Sequence, residues 1–126
     1  MEHRRGGTLH NENPTGLGRI VRDADGQVGG IVEEKDATEA QRQITEVNMS
    51  MYVFDCRHLL ESLKGLQNRN AQEEFYLTDC PGILKAAGAD VRALPVLRPC
   101  EAMSVNTVAE LQVVQEEMRR LGYVDA

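Results

Sequence analysis

Gly18 and Glu33 are the residues of this 126-residue chain whose types and spacing first suggest chemistry. Gly18 precedes residues 19–22 and Glu33 ends residues 27–33, and these two stretches read as short antiparallel strands joined by a strong hairpin signal, Asp-Gly. A glycine leaves the backbone open to close approach, and a carboxylate accepts hydrogen bonds from hydroxyl groups. Side by side at one end of a hairpin, they are suited to gripping the hydroxyls of a sugar or a similar polyol.

The hairpin loop decides which residues face each other. If Asp25-Gly26 alone forms the loop, Gly18 lies opposite Glu33; if the loop covers residues 23–26, Gly18 lies opposite Ile31. Both registers bring Gly18 close to Glu33. The plain alternative is that Gly18 is a flexible strand start and Glu33 a solvated strand end.

Turn and cap signals define the elements around the hairpin. Asn13-Pro14-Thr15-Gly16 has the preferences of a type I turn, with Asn first, Pro second and Gly fourth. Thr38 and Gln41 predict a capping box that opens a short helix over 38–43. Alternating apolar residues then predict a strand over 44–54.

Strands and helices continue to alternate in the second half of the chain. This alternation predicts an α/β fold, with a sheet packed by helices and the hairpin as an antiparallel excursion. The predicted elements are a helix capped by Asp55 with Leu59, Leu63 and Leu66 on one face, a helical turn over 73–77, a helix capped by Thr78 or Asp79 that ends at Gly88, a strand over 91–96, and a last helix with a capping box of Thr107 and Glu110.

Composition bounds the class of protein. Hydrophobic residues make up 41% of the chain and charged residues 27%, and no apolar run approaches the ~20 residues that span a bilayer. The net charge of −6 argues against a nucleic-acid-binding surface. Residues 8–11 are mostly polar where a signal peptide would need an apolar stretch, so we expect a cytoplasmic protein with neither nucleic acid nor membrane as a partner. Cys56, Cys80 and Cys100 are far apart, which predicts reduced thiols rather than a zinc site or a disulfide.

Five motifs, taken in order, resemble the second half of the uridyltransferase domain of bacterial N-acetylglucosamine-1-phosphate uridyltransferases. The resemblance implies a partial Rossmann-like nucleotidyltransferase fold over residues 13–121, a lead-in over 1–12 that we expect to be disordered, and a tail over 122–126. The motifs are Pro-Thr-Gly-Leu-Gly-Arg-Ile at 14–20, Ile-Val-Glu-Glu-Lys-Asp-Ala at 31–37, Glu-Val-Asn at 46–48, Asn-Ala-Gln-Glu-Glu-Phe-Tyr-Leu-Thr-Asp at 70–79 and Ser-Val-Asn at 104–106.

The same resemblance implies roles for six residues. The backbone of Gly18 would contact the sugar nucleotide, Glu33 would hold sugar hydroxyls and Asn48 would contact the sugar. Asn106 would help to bind Mg²⁺, for which an amide oxygen is a suitable hard ligand, although asparagine is also common around helix N-termini. The two further residues that would line the pocket are Glu74 and Tyr76.

The chain departs from the family at several glycines. The usual Asn-Thr-Gly is Asn48-Met49-Ser50, so that a side chain stands where the family has none. Glu73 and Ser104 also replace glycines, and Leu17 replaces a common tyrosine. These changes leave open which sugar the pocket would take.

The family transfers UMP from UTP to N-acetylglucosamine 1-phosphate, with Mg²⁺, and releases pyrophosphate. Its Gly-rich phosphate loop has no counterpart here, since Gly6-Gly7-Thr8 is too short to replace it. The chain is therefore expected to be the sugar-binding half, completed by another chain or by self-association. The alternatives are a non-catalytic module that binds a sugar nucleotide or a protein, and a remnant without a ligand. No hexapeptide repeat of the family's acetyltransferase domain is present.

Overall fold

The computed structural model describes residues 4–123, so residues 1–3 of the predicted lead-in and 124–126 of the predicted tail lie outside the described residues. The chain divides into two compact units, residues 1–96 and 97–126. No helix in the described part of the chain is long and apolar enough to cross a membrane.

A five-stranded mixed sheet forms the first unit, and it confirms the predicted α/β fold. Its strand order is β3-β2-β4-β1-β5. Only β1 and β5 pair in parallel, whereas the other neighbours are antiparallel. The strands are β1 (Arg4–His10), β2 (Arg19–Arg22), β3 (Val28–Val32), β4 (Glu46–Val53) and β5 (Val91–Leu94).

Strand β1 was not predicted, because residues 1–12 show no clear periodicity. It nevertheless lies inside the sheet, paired with β4 on one side and β5 on the other. Thr8 and Leu9, on opposite faces of the strand, are both buried. The expectation of disorder is therefore wrong for Arg4–His10, whose backbone hydrogen bonds to distant strands hold it in place.

Helices follow the predicted caps closely. In the first unit, α1 (Glu39–Arg42) starts at a capping box of Thr38 and Gln41, and α2 (Cys56–Lys64) starts at Asp55. A 3₁₀ turn, Leu77–Asp79, runs into α3 (Cys80–Ala86). In the second unit, a 3₁₀ turn, Pro99–Ala102, precedes α4 (Val108–Arg120), which starts at the predicted capping box of Thr107 and Glu110.

The turn before β2 lies one residue later than predicted. The backbone N–H of Leu17 donates to the carbonyl oxygen of Pro14 at 3.1 Å, so Pro14 rather than Asn13 is the first residue. Gly16 is then third, with φ of +82°, a conformation that a type II turn requires and glycine adopts without strain.

The loop of the hairpin matches neither predicted form. The N–H of Asp23 donates to the carbonyl of Gln27 at 2.9 Å, and the N–H of Gly26 donates back to the carbonyl of Asp23 at 3.0 Å. A bulge between Val21 and Arg22 then shifts the pairing. The longer loop shifts the strand pairing by one residue, and the bulge shifts it back. Gly18 therefore faces Glu33, as it would with the two-residue loop.

The core of the first unit lies between the sheet and α3. Its buried residues are Ile20, Val28, Leu84 and Val91. The leucines predicted to share one face of α2 are only partly covered: Leu59 is half-buried and Leu63 is 40% exposed. Ser62 is the buried residue of α2, and its hydroxyl donates to a backbone carbonyl of its own helix.

Ser50 and Glu73, which replace family glycines, both have left-handed backbone conformations, with φ of 55° and 56°. Glu73 closes a turn with Asn70, so the helical turn predicted over 73–77 does not form and the 3₁₀ turn begins only at Leu77. A left-handed conformation costs an L-residue roughly 1–2 kcal/mol and glycine almost nothing.

Restoring glycine at these two positions should stabilise the protein. We expect Ser50→Gly and Glu73→Gly each to raise the free energy of unfolding by about 0.5–1 kcal/mol, once the greater freedom of glycine in the unfolded chain is subtracted. Urea denaturation measures the change. The matched control is Glu74→Gly, next to Glu73 but outside the left-handed region, which should be neutral or destabilising. Equal effects at residues 73 and 74 would contradict the interpretation.

Candidate functional site

The sheet brings Gly18, Glu33 and Asn48 together. In the register of β2 and β3, Arg19 pairs with Val32, and the register continues to Gly18 opposite Glu33. A Cβ atom added to Gly18 would lie 3.5 Å from Oε1 of Glu33 and 3.5 Å from the Cβ of Asn48. The predicted closeness of Gly18 and Glu33 is confirmed, and Asn48 of the neighbouring β4 completes the set.

Asn48 is held firmly by its own strand. It is 7% exposed, and its backbone N–H donates to the carbonyl oxygen of Gly18 at 2.8 Å. Its side-chain oxygen Oδ1 accepts from the backbone N–H of Ser50 at 3.2 Å and from the hydroxyl of Tyr52 at 2.9 Å. The bulge of β4, which interrupts the pairing between Asn48 and Met51, therefore fixes this amide.

Glu33 lies at the junction of β3 with the 3₁₀ turn. Its Oε1 accepts a hydrogen bond from the hydroxyl of Thr78 at 2.8 Å. The sequence suggested Thr78 only as a helix cap, but no side-chain cap hydrogen bond forms at the start of α3. The family-like Leu-Thr-Asp at 77–79 was the signal that Thr78 could face the site.

A cleft of about 280 Å³ opens beside Glu33. Asp36 fixes one wall of this cleft, because its Oδ1 accepts from the backbone N–H of Ala71 at 2.7 Å. Burial, followed by the negative charges of Asp36 and Glu33, raises the pKa of Asp79. The residues with polar side chains that line the cleft are Glu33, Asp36, Gln67, Arg69, Asn70, Tyr76 and Asp79. This lining offers mainly acceptors, which suits a hydroxyl-rich ligand.

Tyr76 lines the cleft, whereas Glu74 does not. The hydroxyl oxygen of Tyr76 accepts from Nε2 of Gln72 at 2.9 Å, and desolvation followed by nearby carboxylates raises its pKa. The backbone of Glu74 is clamped at both ends by the side chain of Asn70, at 3.2 Å and 2.6 Å, and its side chain is exposed. Of the two residues implied to line the pocket, the cleft thus includes Tyr76.

Asn106 belongs to the second unit, just before α4. Its backbone N–H donates to Oε2 of Glu110 at 2.8 Å, which is the ordinary arrangement of a residue ahead of a helix cap. Within residues 4–123, no group of three or more His, Cys, Asp or Glu side chains is arranged to hold a metal ion. Asn106 adds one amide oxygen, so the described residues do not by themselves fit a Mg²⁺ ion.

Comparisons with known proteins show that the chain is similar to bifunctional proteins named GlmU. It is 49% identical over 108 residues to the bifunctional protein GlmU of Alkaliphilus oremlandii, a match over 86% of this chain and 24% of that protein. The corresponding figures are 46% over 109 residues for the GlmU of Clostridium acetobutylicum and 45% over 113 residues for that of Corynebacterium jeikeium. The chain thus spans about a quarter of the length of the curated relatives it matches. No protein-family model matches it.

Proposed function

We propose, from the premise that this chain is a partial GlmU-like region, that it is the sugar-binding part of a nucleotidyltransferase. The reaction would be transfer of UMP from UTP to N-acetylglucosamine 1-phosphate, with release of pyrophosphate. The ligands of this chain would be N-acetylglucosamine 1-phosphate, with UTP, and the product UDP-N-acetylglucosamine.

The observation that carries the proposal is the open face of Gly18 between Glu33 and Asn48. A Cβ there would lie 3.3 Å from Cγ2 of Ile31 and 3.5 Å from both Glu33 and Asn48, so a glycine lets Glu33 and Asn48 approach the backbone on either side. Glu33 has a second carboxylate oxygen beyond the one that accepts from Thr78, and it can accept from a ligand hydroxyl. The work of these residues would be to bind and orient the sugar phosphate, since phosphoryl transfer depends mostly on positioning and charge neutralisation.

Calorimetric titration of the purified chain with UDP-N-acetylglucosamine tests the proposal. We expect saturable binding that Glu33→Ala weakens on the order of 10- to 30-fold, because a charged hydrogen bond to the sugar is lost. Glu61→Ala removes the same charge from an exposed pair with Lys64 and should leave the dissociation constant unchanged. A well-folded chain that does not bind, or equal losses in both variants, would overturn the assignment of this site.

A second candidate function is binding without turnover. It is favoured because Gly18, Glu33, Asn48 and Tyr76 all lie in the first unit, so the proposed site does not depend on Asn106. The two candidates differ in a pyrophosphate-release assay with UTP, N-acetylglucosamine 1-phosphate and Mg²⁺. Turnover by the chain alone would favour the enzyme, and binding without turnover would favour the module.

Partners for this chain are also proposed rather than shown. A half-enzyme would need a chain that supplies phosphate-binding groups, or a second copy of itself. Met51 and Val53, at alternate positions of β4, are 54% and 63% exposed, and such an apolar strip is suited to being covered. Sedimentation velocity of the purified chain distinguishes a monomer from a self-associated form.

A further inference from the structure

The orientation of the Asn48 amide follows from its contact with the backbone N–H of Ser50, which can only donate a hydrogen bond. The oxygen and nitrogen of an asparagine amide look alike in shape, so the hydrogen-bond partners decide which is which. A backbone N–H is a donor and never an acceptor, and that of Ser50 lies 3.2 Å from one end of the amide. That end is therefore the oxygen, Oδ1.

Tyr52 adds a second bond to the same atom. Because Oδ1 only accepts, the hydroxyl of Tyr52 must be the donor across the 2.9 Å between them. Burial raises the pKa of Tyr52 and outweighs the hydrogen bond with Asn48, which lowers it, so the phenol keeps the proton that this bond needs. The ring packs against Phe54 with 5.6 Å between centroids, which fixes where the hydroxyl points.

With Oδ1 occupied twice, Nδ2 is the part of the amide left for a ligand. No described residue accepts a hydrogen bond from Nδ2, whose two hydrogens are donors. On the other side of the Gly18 face, Glu33 presents a carboxylate, which only accepts. Asn48 lines the cavity that also contains Tyr52, and Glu33 lines the cleft described above, so the two sides of Gly18 have opposite hydrogen-bonding character.

We propose that Tyr52 is a positioning residue that locks the Asn48 amide, so that the site selects ligands with an acceptor oxygen toward Asn48 and a hydroxyl donor toward Glu33. This inference rests on the proposed function, because it concerns the same site. It adds a residue that the motifs did not mark and a polarity that the ligand must match. A free amide could turn over and accept a hydroxyl donor equally well, whereas the locked one cannot.

Binding of UDP-N-acetylglucosamine tests the polarity. Asn48→Asp keeps the shape and both acceptor bonds to Ser50 and Tyr52 but loses the donor, so we expect affinity to fall at least tenfold. Tyr52→Phe keeps the ring but removes the shorter of the two hydrogen bonds that hold Oδ1, leaving only the 3.2 Å bond from Ser50, and we expect a three- to tenfold loss. Tyr123→Phe, which removes an exposed hydroxyl in the second unit, is the matched control and should bind like the unchanged chain. Unchanged affinity in Tyr52→Phe overturns the inference.

A ligand-free measurement separates this inference from the proposed function. In Asn48→Asp, a donor hydroxyl at Tyr52 stabilises the introduced carboxylate, so adding Tyr52→Phe should raise the pKa of that carboxyl by about one unit, a tenfold change in its ionisation. Carbon-13 NMR titration of the two variants measures it. A rise without any ligand binding supports the locked amide while the proposed function fails; equal values overturn the lock. If Asn48→Asp does not fold, the affinity of Tyr52→Phe decides.

Discussion

Replacing Glu46 by glutamine should lower the free energy of unfolding by about 2 kcal/mol at neutral pH, because the buried carboxylate is lost while the arginine that it pairs with, 31% exposed, stays partly hydrated. Glu46 is 6% exposed and accepts two hydrogen bonds of 2.7 Å from the guanidinium of Arg22, one on each carboxylate oxygen. The hydroxyl of Thr8 adds a third at 2.8 Å. Bidentate arginine pairs of this kind are among the stronger hydrogen-bonded contacts in proteins.

The carboxylate of Glu46 and the guanidinium of Arg22 together connect four strands. Glu46 belongs to β4, Arg22 to β2 and Thr8 to β1. Arg22 also donates to the carbonyl of Ala93 in β5 at 3.1 Å, so its guanidinium reaches across the sheet. A glutamine can accept only on one side and carries no charge, which leaves part of Arg22 without its acceptor.

The stability that Glu46 contributes should depend on pH. Burial alone would raise the pKa of Glu46, but the hydrogen bonds from Arg22 and Thr8 and the charge of Arg22 outweigh it and lower the pKa below its usual 4.5. A lowered folded-state pKa contributes stability that is present above the unfolded value and is lost as the pH falls through the folded value. The difference in the free energy of unfolding between the unchanged chain and Glu46→Gln should therefore shrink as the pH falls.

Urea denaturation between pH 7 and pH 3 measures both parts of this prediction. Glu61→Gln is the matched control, since it removes the same charge from a surface pair with Lys64 and should cost less than about 1 kcal/mol. A deficit in Glu46→Gln that stays constant down to low pH would show that the lost stability does not come from the ionised carboxylate.

Local interactions are the part of this fold that the sequence predicts best. The capping boxes of Thr38 and Thr107 and the cap at Asp55 involve residues only three positions apart, so their chemistry is visible in the sequence. The same holds for the closeness of Gly18 and Glu33, which a single hairpin brings about. These predictions are confirmed even though the form of the hairpin loop and its bulge were not predicted.

Features that depend on distant partners were missed. Strand β1 has no amphipathic pattern of its own and is defined by pairing with β4 and β5. The leucines of α2 do repeat at helical spacing, yet spacing does not say whether anything covers them. In the site, Thr78 lies 45 residues from Glu33, a separation at which sequence pattern carries no contact information.

The residues that replace family glycines differ in their backbone conformation, which the sequence does not reveal. The sequence shows that Ser50, Glu73 and Ser104 replace glycines of the family, but not which of them disturb the backbone. Ser50 and Glu73 have left-handed conformations, and Ser104 does not. The first two therefore retain a glycine-like backbone at the expense of strain, and only φ distinguishes them from the third.

Neutralising Glu34 should cost more than removing Arg19, although the two form one ion pair. Their charged atoms approach to 2.6 Å, with the Arg19 side chain 2% exposed and that of Glu34 29% exposed. Glu34→Gln leaves a nearly buried guanidinium without its counter-charge, for which we expect a loss of about 3 kcal/mol in the free energy of unfolding. Arg19→Met leaves a carboxyl side chain that is 29% exposed, although its Oε2 is buried, and fills the space with an apolar chain, so we expect a loss of about 1–2 kcal/mol.

The hydrogen bonds of Arg19 support this asymmetry. Its guanidinium donates to the carbonyl oxygens of Leu17 and Arg42, while its Nε and Oε2 of Glu34 are buried without an aligned hydrogen bond. The pair is therefore held by charge more than by directed bonds, and glutamine cannot replace that charge. Urea denaturation of both single variants and of the double variant completes a cycle in which the double should be close to Arg19→Met. A larger loss for Arg19→Met than for Glu34→Gln would mean that the two backbone contacts of Arg19, rather than its burial as a cation, determine its contribution to stability.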